Sequence, residues 1–328
     1  MIKYSVIGTS WITRSFIEGA ALTGELLLDG VYSRSVQKGE AFRKETGAQR
    51  SFSDLGELLG SDTELVYVAS PNSCHYSQCK ALLEAGKHVI CEKPITITAE
   101  EFDTLTEIAR EKALVYFEAI MYMHSPRRAV LKEWVEKIGR IRSANIDFSQ
   151  FSSKYPLLLD YESGKSPEMP NIFNPLMKTG ALNDLGIYCV YPVIDLFGEP
   201  QKITAFQHFL STGADGCGSA VYEYEDKLVT ITYSKTGQSQ GVSQIIGDKG
   251  TITIESISQT DGLSLYDTKG ERLFHISPGE KKYCMMSEAQ SAVNFIKNYD
   301  ESLAFLEECQ VINRKVLLCM EKMRTDNA

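Results

Sequence analysis

The apolar positions in the first half of the chain occur in short unbroken runs that alternate with amphipathic stretches. Runs such as "KYSVI" at 3–7 and "LLLDGVYS" at 26–33 predict buried strands, and the segments Trp11–Leu22 and Val36–Thr46 have the spacing of helices. Strands that alternate with helices build a parallel sheet, because parallel neighbours need long crossover connections. The sequence therefore predicts a doubly wound Rossmann domain over residues 1–122.

The second half of the chain changes to a period of two. Segments such as "ITAFQHFL" at 203–210 and "QIIGDKGTITIES" at 244–256 alternate apolar with polar residues, which predicts antiparallel strands. Two helices, Ser287–Tyr299 and Ser302–Met323, are predicted to close the chain. The expected fold is α/β, with an α+β domain over residues 123–328 built on a large, mainly antiparallel open sheet.

The charge balance favours a small-molecule partner. The 328 residues include 34 Lys and Arg against 43 Asp and Glu, a net charge of −9, so a nucleic-acid partner has no electrostatic support. The strands of the second half are rich in aromatic and β-branched residues. An exposed sheet face rich in Tyr, Ile and Val would be an aggregation liability in a monomer, so such a face would favour a homodimer or a larger homo-oligomer.

The cysteine and histidine patterns indicate neither a disulfide framework nor a metal site. The 8 cysteines are scattered without a C-x-x-C pair, and the 5 histidines lack the spacing of metal ligands. Reduced thiols of this kind fit a cytoplasmic protein. No secretory signal precedes the first strand, and no apolar stretch approaches the ~20 residues that span a bilayer, so no membrane partner is expected.

The first candidate cofactor segment, "GTSWIT" at 8–13, follows the first predicted strand. Doubly wound sheets bind ligands at the carboxyl ends of their strands, and here the next helix can offer its N-terminus to a pyrophosphate. Only the first glycine of G-x-G-x-x-G is present, because Ser10 and Thr13 occupy the other two positions. An ordinary turn capped by Ser10 is the alternative. The candidate cofactor residues here are Gly8, Thr9, Ser10, Trp11 and Ile12.

The second strand ends in "VYSRS", where a dinucleotide-binding fold places the reader of the adenine ribose. An acidic residue there would bind a free 2′-hydroxyl and repel a 2′-phosphate, whereas Ser33, Arg34 and Ser35 are donors. NADP(H) is therefore favoured over NAD(H). The alternative is a solvated arginine on a surface turn.

Two further strand ends carry polar motifs. The run "ELVYVAS" at 64–70 continues into "SPNSCH" before a predicted helix Cys74–Ala85, and "KHVICE" at 87–92 continues into "KPITIT". Asn72 and His75 could meet the nicotinamide ribose or carboxamide, although Asn72 could equally cap the helix. The candidate cofactor residues of these two ends are Ser70, Pro71, Asn72, His75, Glu92, Lys93 and Pro94.

With these motifs the chain resembles the Gfo/Idh/MocA family of NAD(P)-dependent oxidoreductases. The resemblance covers the whole length, from the degenerate glycine turn through "SPNSCH" and "EKP" to "GALNDLGIYCV" at 180–190, and "EKP" is its most recognisable tripeptide. It implies that Pro94 shapes a turn and that Lys93 projects toward the substrate and the nicotinamide. It also implies that Glu92 supports the cofactor side.

The segment at 180–190 carries the predicted acid/base residues. Asp184 and Tyr188 are four residues apart and would share one face of a helix. Without the resemblance, Tyr188 would be interpreted as a core aromatic. Many family members have Asp and His at this spacing, whereas here Tyr188 takes the place of the His. That departure is shared with dimeric dihydrodiol dehydrogenase and glucose-fructose oxidoreductase, which the segment resembles more closely.

A coupled mechanism gives the tyrosine a purpose. A free tyrosine has a pKa near 10, and the ammonium of Lys93 would favour the phenolate. Hydride then moves between the nicotinamide and a carbinol carbon while Tyr188 gives or takes the hydroxyl proton. Lys93 would stabilise charge on the substrate oxygen, and Asp184 would orient the substrate. These three residues are the predicted catalytic set.

Three questions stay open at this point. The substrate could be a sugar, a polyol or a dihydrodiol-like compound, because the shape of the second domain decides among them. The long segment between Tyr155 and Pro175 and the lone His124 could touch the substrate or be structural. A regulatory protein that senses the dinucleotide without turnover is the alternative function, although Lys93, Asp184 and Tyr188 are all present.

Overall fold

Six parallel strands form the first sheet of the computed structural model, which describes residues 1–325. The strands are β1 (Ile2–Ile7), β2 (Leu26–Tyr32), β3 (Arg50–Phe52), β4 (Leu65–Val68), β5 (His88–Glu92) and β6 (Tyr116–Ala119). Their order is β3-β2-β1-β4-β5-β6, so successive strands are added on one side of β1 up to β3 and on its other side from β4 onward. The predicted doubly wound Rossmann sheet is confirmed.

Helices connect these strands. They are α1 (Trp11–Leu22), α2 (Val36–Thr46), α3 (Leu55–Leu59), α4 (Asn72–Glu84), α5 (Ala99–Glu111) and α6 (Met121–His124). All residues of β4 and β6 are buried, because the helices cover both faces of a parallel sheet. The central strands therefore hold their carboxyl ends in a fixed row.

The remaining elements follow in chain order. They are α7 (Arg127–Lys137), β7 (Ile141–Ser149), α8 (Tyr155–Glu162), 3₁₀ turns at Asn171–Phe173 and Pro175–Met177, a π-helical turn at Leu182–Gly186, α9 (Ile187–Phe197), β8 (Lys202–Phe209), β9 (Asp215–Glu223), β10 (Leu228–Ser234), β11 (Ser243–Gly247), β12 (Gly250–Ser256), β13 (Asp261–Asp267), β14 (Arg272–Ile276), α10 (Lys281–Lys297) and α11 (Tyr299–Thr325).

The second sheet has eight strands in the order β14-β13-β12-β11-β7-β10-β9-β8. Only the pair β7 and β10 is parallel among its recorded pairs, so the predicted large and mainly antiparallel sheet is confirmed. Its buried face carries aromatic and β-branched side chains. These are Tyr222, Val229, Ile231, Tyr233, Ile245, Ile252 and Ile254.

The prediction of an exposed face rich in Tyr, Ile and Val is wrong. The outward positions of the central strands carry hydroxyl and amide groups, including Asn145, Ser219 and Thr232, all exposed. Period-two alternation places every second residue on each face, and the tyrosines and isoleucines fall on the inner one. Exposed Phe206 on edge strand β8 is an exception. An oligomer therefore stays a prediction that this face alone does not explain.

The chain divides into two compact units that do not follow the sequence order. Among the described residues, the first unit comprises 1–124 and 280–314, and the second comprises 125–279 and 315–325. The first boundary lies close to the predicted one at 122, whereas Glu280–Arg314 returns to the first unit instead of staying with the second. Helix α10 explains the return, because it packs on α1. A side chain at Gly19 would place its Cβ 2.5 Å from Cβ of Met285.

The segment between β7 and the π-helical turn is more regular than the predicted loop. Residues Tyr155–Glu162 form α8, with Pro156 in its first turn, where the missing amide of a proline does no harm. Phe173, the last residue of the first 3₁₀ turn, is fully buried, and its ring meets that of Tyr155 edge-on. The segment is thus packed onto its own unit.

Residues 1–325 contain no candidate membrane-spanning helix and no candidate metal-binding cluster. No helix in this range is both long enough and apolar enough to cross a bilayer. No group of three or more His, Cys, Asp or Glu side chains in the same range is arranged to hold a metal ion.

One buried carboxyl group in the first unit lacks a full set of partners. Glu288 of α10 is 1% exposed, and its Oε2 atom has no hydrogen-bond partner. Burial raises the pKa of Glu288 well above its usual value of 4.5, and the nearby carboxylates of Glu92 and Glu118 raise it further, while Lys281 acts in the opposite sense. The folded protein therefore holds a proton that the unfolded chain releases at lower pH.

We predict that Glu288→Gln stabilises the protein increasingly as the pH rises. A raised folded pKa costs stability from about pH 4.5 upward, and the neutral amide of Gln removes that cost. The free energy of unfolding should increase by about 1 to 3 kcal/mol near pH 8 and by less near pH 5. Urea unfolding at both pH values measures it, with Glu301→Gln at the exposed start of α11 as the control. A gain that shrinks toward high pH would contradict the account.

Candidate active site

The turn after β1 brings the ends of two neighbouring strands together. Gly8 has a φ of +108°, and a Cβ there would lie 2.5 Å from the carbonyl oxygen of Ala69 at the end of β4. Only glycine fits this conformation and this approach. Ser10 occupies the N-cap position of α1, but its side chain makes no capping hydrogen bond, and its Oγ lies 3.3 Å from Oγ1 of Thr13. Ser10 does not compete for the first amides of the helix.

The turn after β2 is built by its two serines. Oγ of Ser33 accepts from the amide of Ser35 at 3.3 Å, and Oγ of Ser35 accepts from the amide of Lys38 at 3.3 Å. The serine oxygens thus shape the turn and cap α2. Arg34 between them is exposed, and no ion pair is recorded for it among residues 1–325. It is the donor at this turn best suited to a phosphate.

His75 joins the ends of β4 and β5. Its ring is fully buried, with Nδ1 2.8 Å from the carbonyl oxygen of Pro94 and Nε2 2.9 Å from that of Ser70. Burial lowers the pKa of His75 below its usual value. The sequence allowed direct contact between His75 and the nicotinamide half of the cofactor, but both ring nitrogens lie within hydrogen-bond distance of backbone carbonyl oxygens. We infer that His75 positions the two loops.

Asn72 begins α4 instead of capping it. The N-cap residue is Pro71, which has extended dihedral angles, and Asn72 is the first helical residue. The capping alternative is therefore not what the structure shows. Ser70 is also engaged, because its Oγ donates to Oε1 of Gln78 at 2.6 Å. Of this loop, Asn72 remains a candidate for cofactor contact.

The tripeptide Glu92-Lys93-Pro94 ends β5 with its carboxylate buried. The hydroxyl of Tyr67 donates to Oε1 of Glu92, and the amide of Lys93 donates to Oε2 at 3.2 Å. Burial raises the pKa of Glu92, while the charge of Lys93 opposes that shift. The Lys93–Pro94 peptide bond is cis. The hydrogen bonds of Glu92 therefore fix the backbone from which Lys93 extends.

A second carboxylate holds the other side of this turn. Oε1 of Glu118 accepts from the amide of Ile95 at 2.7 Å, and its Oε2 accepts from Nδ2 of Asn313 at 2.7 Å. The lone His124 serves the same region of the first unit. Its Nδ1 is 2.9 Å from Oγ of Ser291 and its ring packs edge-on against Phe117. These contacts favour the structural interpretation of His124.

In the second unit, a buried carboxylate sets the start of the helix that carries Asp184 and Tyr188. Asp215, the first residue of β9, accepts from the amide of Leu182 at 2.6 Å. Its other oxygen lies where a Cβ at Gly180 would be, and Gly180 has a φ of +116°. Burial raises the pKa of Asp215 while the backbone amides oppose the shift. The glycine that opens "GALNDLGIYCV" is required by this contact.

The predicted regular helix at this point is partly a π-helix. Leu182–Gly186 forms the π-helical turn and α9 begins at Ile187, so Asp184 and Tyr188 lie on either side of a change in helical geometry. The assumption of one α-helical face was therefore wrong in detail. Turns of this kind occur frequently at functional sites.

Lys235 is a charged partner that sequence reasoning missed. It lies just after β10, its side chain is 7% exposed, and its Nζ pairs with Oδ2 of Asp184. Period-two alternation along β10 puts residue 235 on the inner face with Ile231 and Tyr233, and a lysine at such a position was the available signal. Tyr188 is 8% exposed, and its ring meets that of Phe148 edge-on at 5.6 Å.

The site residues therefore form two groups. The first unit brings together the turns after β1, β2, β4 and β5, with Gly8, Arg34, Asn72 and Lys93 at their ends. The second unit brings together Asp184, Lys235 and Tyr188, with Phe148 beside the tyrosine. The first group has the features of a dinucleotide site, and the second has a charged pair and a phenol suited to proton transfer.

Two family models match the chain. Residues 2–120 match an oxidoreductase family with an NAD-binding Rossmann fold, and residues 129–253 match the Gfo/Idh/MocA C-terminal domain. The scyllo-inositol 2-dehydrogenase (NADP(+)) of Bacillus subtilis is 35% identical over 90% of this chain and 89% of its own length. The trans-1,2-dihydrobenzene-1,2-diol dehydrogenase of Mus musculus is 25% identical over 78% of this chain and 75% of its own.

A solved structure shows the same fold. A 3-ketoreductase from Actinomadura kijaniata, in complex with NADP and TDP-benzene, superposes with a TM-score of 0.82 at 19% identity, over 99% of this chain and 98% of that one. The family is indicated by the two matched models and by the relative at 35% identity. The two-unit fold and the Glu92-Lys93-Pro94 motif at the end of β5 are consistent with it. The chain belongs to the Gfo/Idh/MocA family and is an NAD(P)-dependent oxidoreductase.

Proposed function

We propose that this oxidoreductase prefers NADP(H) and interconverts a secondary alcohol and a ketone on a ring polyol or a related sugar. The observation that carries the proposal is Arg34, an exposed arginine that forms no ion pair within residues 1–325, at the turn that meets the adenine ribose in this fold. The names of two relatives support it, because one is a scyllo-inositol dehydrogenase that uses NADP(+) and the other acts on a dihydrodiol. An NADP(H) preference favours carbonyl reduction as the direction.

The residues of the first unit fit a dinucleotide. Gly8 lets the turn after β1 pass close to the end of β4, and the first amides of α1 have no competing cap from Ser10. A helix N-terminus of this kind stabilises a pyrophosphate, while Arg34 can pair with a 2′-phosphate. The nicotinamide, when bound, supplies or accepts the hydride.

The chain's own residues handle the proton and the developing charge. We propose that Lys93 donates a hydrogen bond to the substrate oxygen and stabilises negative charge there. Tyr188 gives its phenolic proton to that oxygen in reduction and takes it back in oxidation. The pair of Asp184 and Lys235 fixes a carboxylate in one orientation, where it can accept a hydrogen bond from a neighbouring substrate hydroxyl.

A non-catalytic sensor of the dinucleotide is the second candidate. It would need the cofactor turns but not the proton-transfer residues, and this chain has both. The two functions are separated by an assay of scyllo-inositol, its ketone, aldoses, a trans-dihydrodiol and 1,5-anhydrofructose with NADP⁺, NADPH, NAD⁺ and NADH, followed at the nicotinamide absorbance. Turnover with one of these substrates, faster with NADP(H), supports the proposal. Tight cofactor binding without turnover on any would favour the sensor.

We also propose a homodimer, or a larger homo-oligomer, in the cytoplasm. The open eight-stranded sheet supports an assembly, because its outward face has exposed Phe206 and Leu228 among hydroxyl groups. The eight cysteines are all free thiols, which supports a reducing compartment. Light scattering across a dilution series tests the assembly, and a monomer at micromolar concentration would contradict it.

We predict that Arg34→Asp reverses the cofactor preference. The substitution removes a charge-assisted contact with the 2′-phosphate and adds repulsion, while a carboxylate can accept from the free ribose hydroxyl of NADH. The relative affinity should change by roughly 2 to 4 kcal/mol. Calorimetric titration of NADPH and NADH into both proteins measures it, with Lys44→Asp on α2, the helix that follows the Arg34 turn, as the charge control. A parent protein that prefers NADH would refute the role of Arg34.

We predict that Lys93→Met and Tyr188→Phe lower kcat strongly and non-additively. Each variant keeps most of the side-chain volume and removes either the charge or the proton carrier, so each should cost about 10² to 10⁴ fold in kcat. Groups that act as a unit lose little more when both are removed, so the double variant should be close to the slower single. The kcat of all four proteins on one substrate from the assay measures this. Losses that simply multiply would contradict a coupled device.

A further inference from the structure

A lysine from the far end of the chain lies at the first turn of α1. Nζ of Lys281, the first residue of α10, is 4.1 Å from the centre of the Trp11 ring, a cation–π distance. Trp11 is the first residue of α1 and is 62% exposed. An ammonium group therefore lies beside the N-terminus of α1, although Lys281 and Trp11 are 270 positions apart in the sequence.

The position of Lys281 is built into the first unit. Helix α10 packs along α1 so closely that Gly19 has no room for a side chain against Met285. Burial lowers the pKa of Lys281, whereas the charges of Glu92 and Glu288 raise it. The ammonium is thus near both the helix N-terminus at Trp11 and the end of β5 at Glu92.

The turn after β1 has lost two of the glycines that usually admit a pyrophosphate. Ser10 and Thr13 stand in their places, and Thr13 is fully buried. The pyrophosphate of a dinucleotide carries about two negative charges, whereas a helix N-terminus offers roughly half a positive charge. Arg14, the nearest cation on α1 itself, is engaged in an ion pair with Glu45. A further cation at this turn would compensate, and Lys281 is placed to be one.

We propose that Lys281 is a cofactor-binding residue whose ammonium pairs with the pyrophosphate of the nicotinamide dinucleotide. The inference rests on the proposed use of the turns after β1 and β2 by that cofactor. In the structure the ammonium stacks on Trp11 and is attracted by the charge of Glu92. On binding, the pyrophosphate adds a charge-assisted contact without moving the backbone of α10.

The test is a set of calorimetric titrations of Lys281→Met and Lys281→Arg. NADPH and ADP-ribose contain the pyrophosphate, whereas adenosine 2′-phosphate contains only the 2′-phosphate. Lys281→Met should weaken binding of the first two by about tenfold, the value of one charge-assisted contact, and leave adenosine 2′-phosphate within about twofold. Lys281→Arg keeps the charge and should bind all three as the parent does. Lys282→Met, on the same turn of α10, is the matched control, because Lys282 pairs with Glu280 at 2.8 Å.

The outcomes separate this inference from the proposed function. Unchanged NADPH affinity in Lys281→Met, or equal weakening of all three ligands, would overturn the role of Lys281 and leave the NADP(H) proposal intact. A parent protein that binds neither NADPH nor ADP-ribose would instead refute the cofactor site itself. If Lys281→Met fails to fold, a Lys281→Arg variant that loses NADPH affinity while keeping its stability would count against the pairing, and full retention would support it.

Discussion

The buried carboxylate of Glu92 is the feature on which the geometry of the first site depends. A carboxylate inside a protein is costly unless it is hydrogen-bonded, and Glu92 is held by the hydroxyl of Tyr67 and the amide of Lys93. Those bonds fix the direction in which the chain leaves β5. Pro94 then meets His75, which in turn holds the loop after β4. The position of Lys93 is therefore a consequence of satisfying Glu92.

The second unit uses the same physical device. Asp215 is buried, and it accepts from the amide that starts the π-helical turn carrying Asp184. Gly180 is needed because the carboxylate occupies the space of a side chain. In both units a buried acid accepts a hydrogen bond from a backbone amide at the candidate catalytic segment. Glu92 binds the amide of Lys93 itself, and Asp215 binds the amide of Leu182, two residues before Asp184. This arrangement leaves Lys93 and Asp184 on backbone that cannot easily shift.

The sequence predicted elements well where local pattern decides them. Helices α1 and α2 begin and end at the predicted residues, because their apolar spacing and the glycine after α2 are local signals. The strand-end motifs also lie where they were expected, since a parallel sheet fixes the edge at which its carboxyl ends meet. Alternation alone does not say which face of a sheet is buried, and for that reason the tyrosines of the second sheet were predicted on the wrong face.

What the sequence could not provide depends on long-range packing. The π-helical turn begins at Leu182, whose amide donates to Asp215, and these two residues are distant in sequence. Lys235, just after β10, pairs with Asp184 of the π-helical turn. Lys281 contacts the Trp11 ring only because α10 returns to the first unit. His75 looked like a ligand because it follows a strand end. In the structure its ring is buried between two carbonyl oxygens, from which we infer that it positions the two loops.

We propose that the row of strand ends in the first unit binds the dinucleotide, and the exchange of backbone amide hydrogens on NADPH addition tests this binding. Mass spectrometry of backbone amides in the free and the NADPH-saturated protein locates the slowed segments. We predict slower exchange in the segments 8–13, 33–38, 69–73 and 92–95, because each turn closes on part of the ligand. Protection confined to other segments, with these four unchanged, would contradict the account.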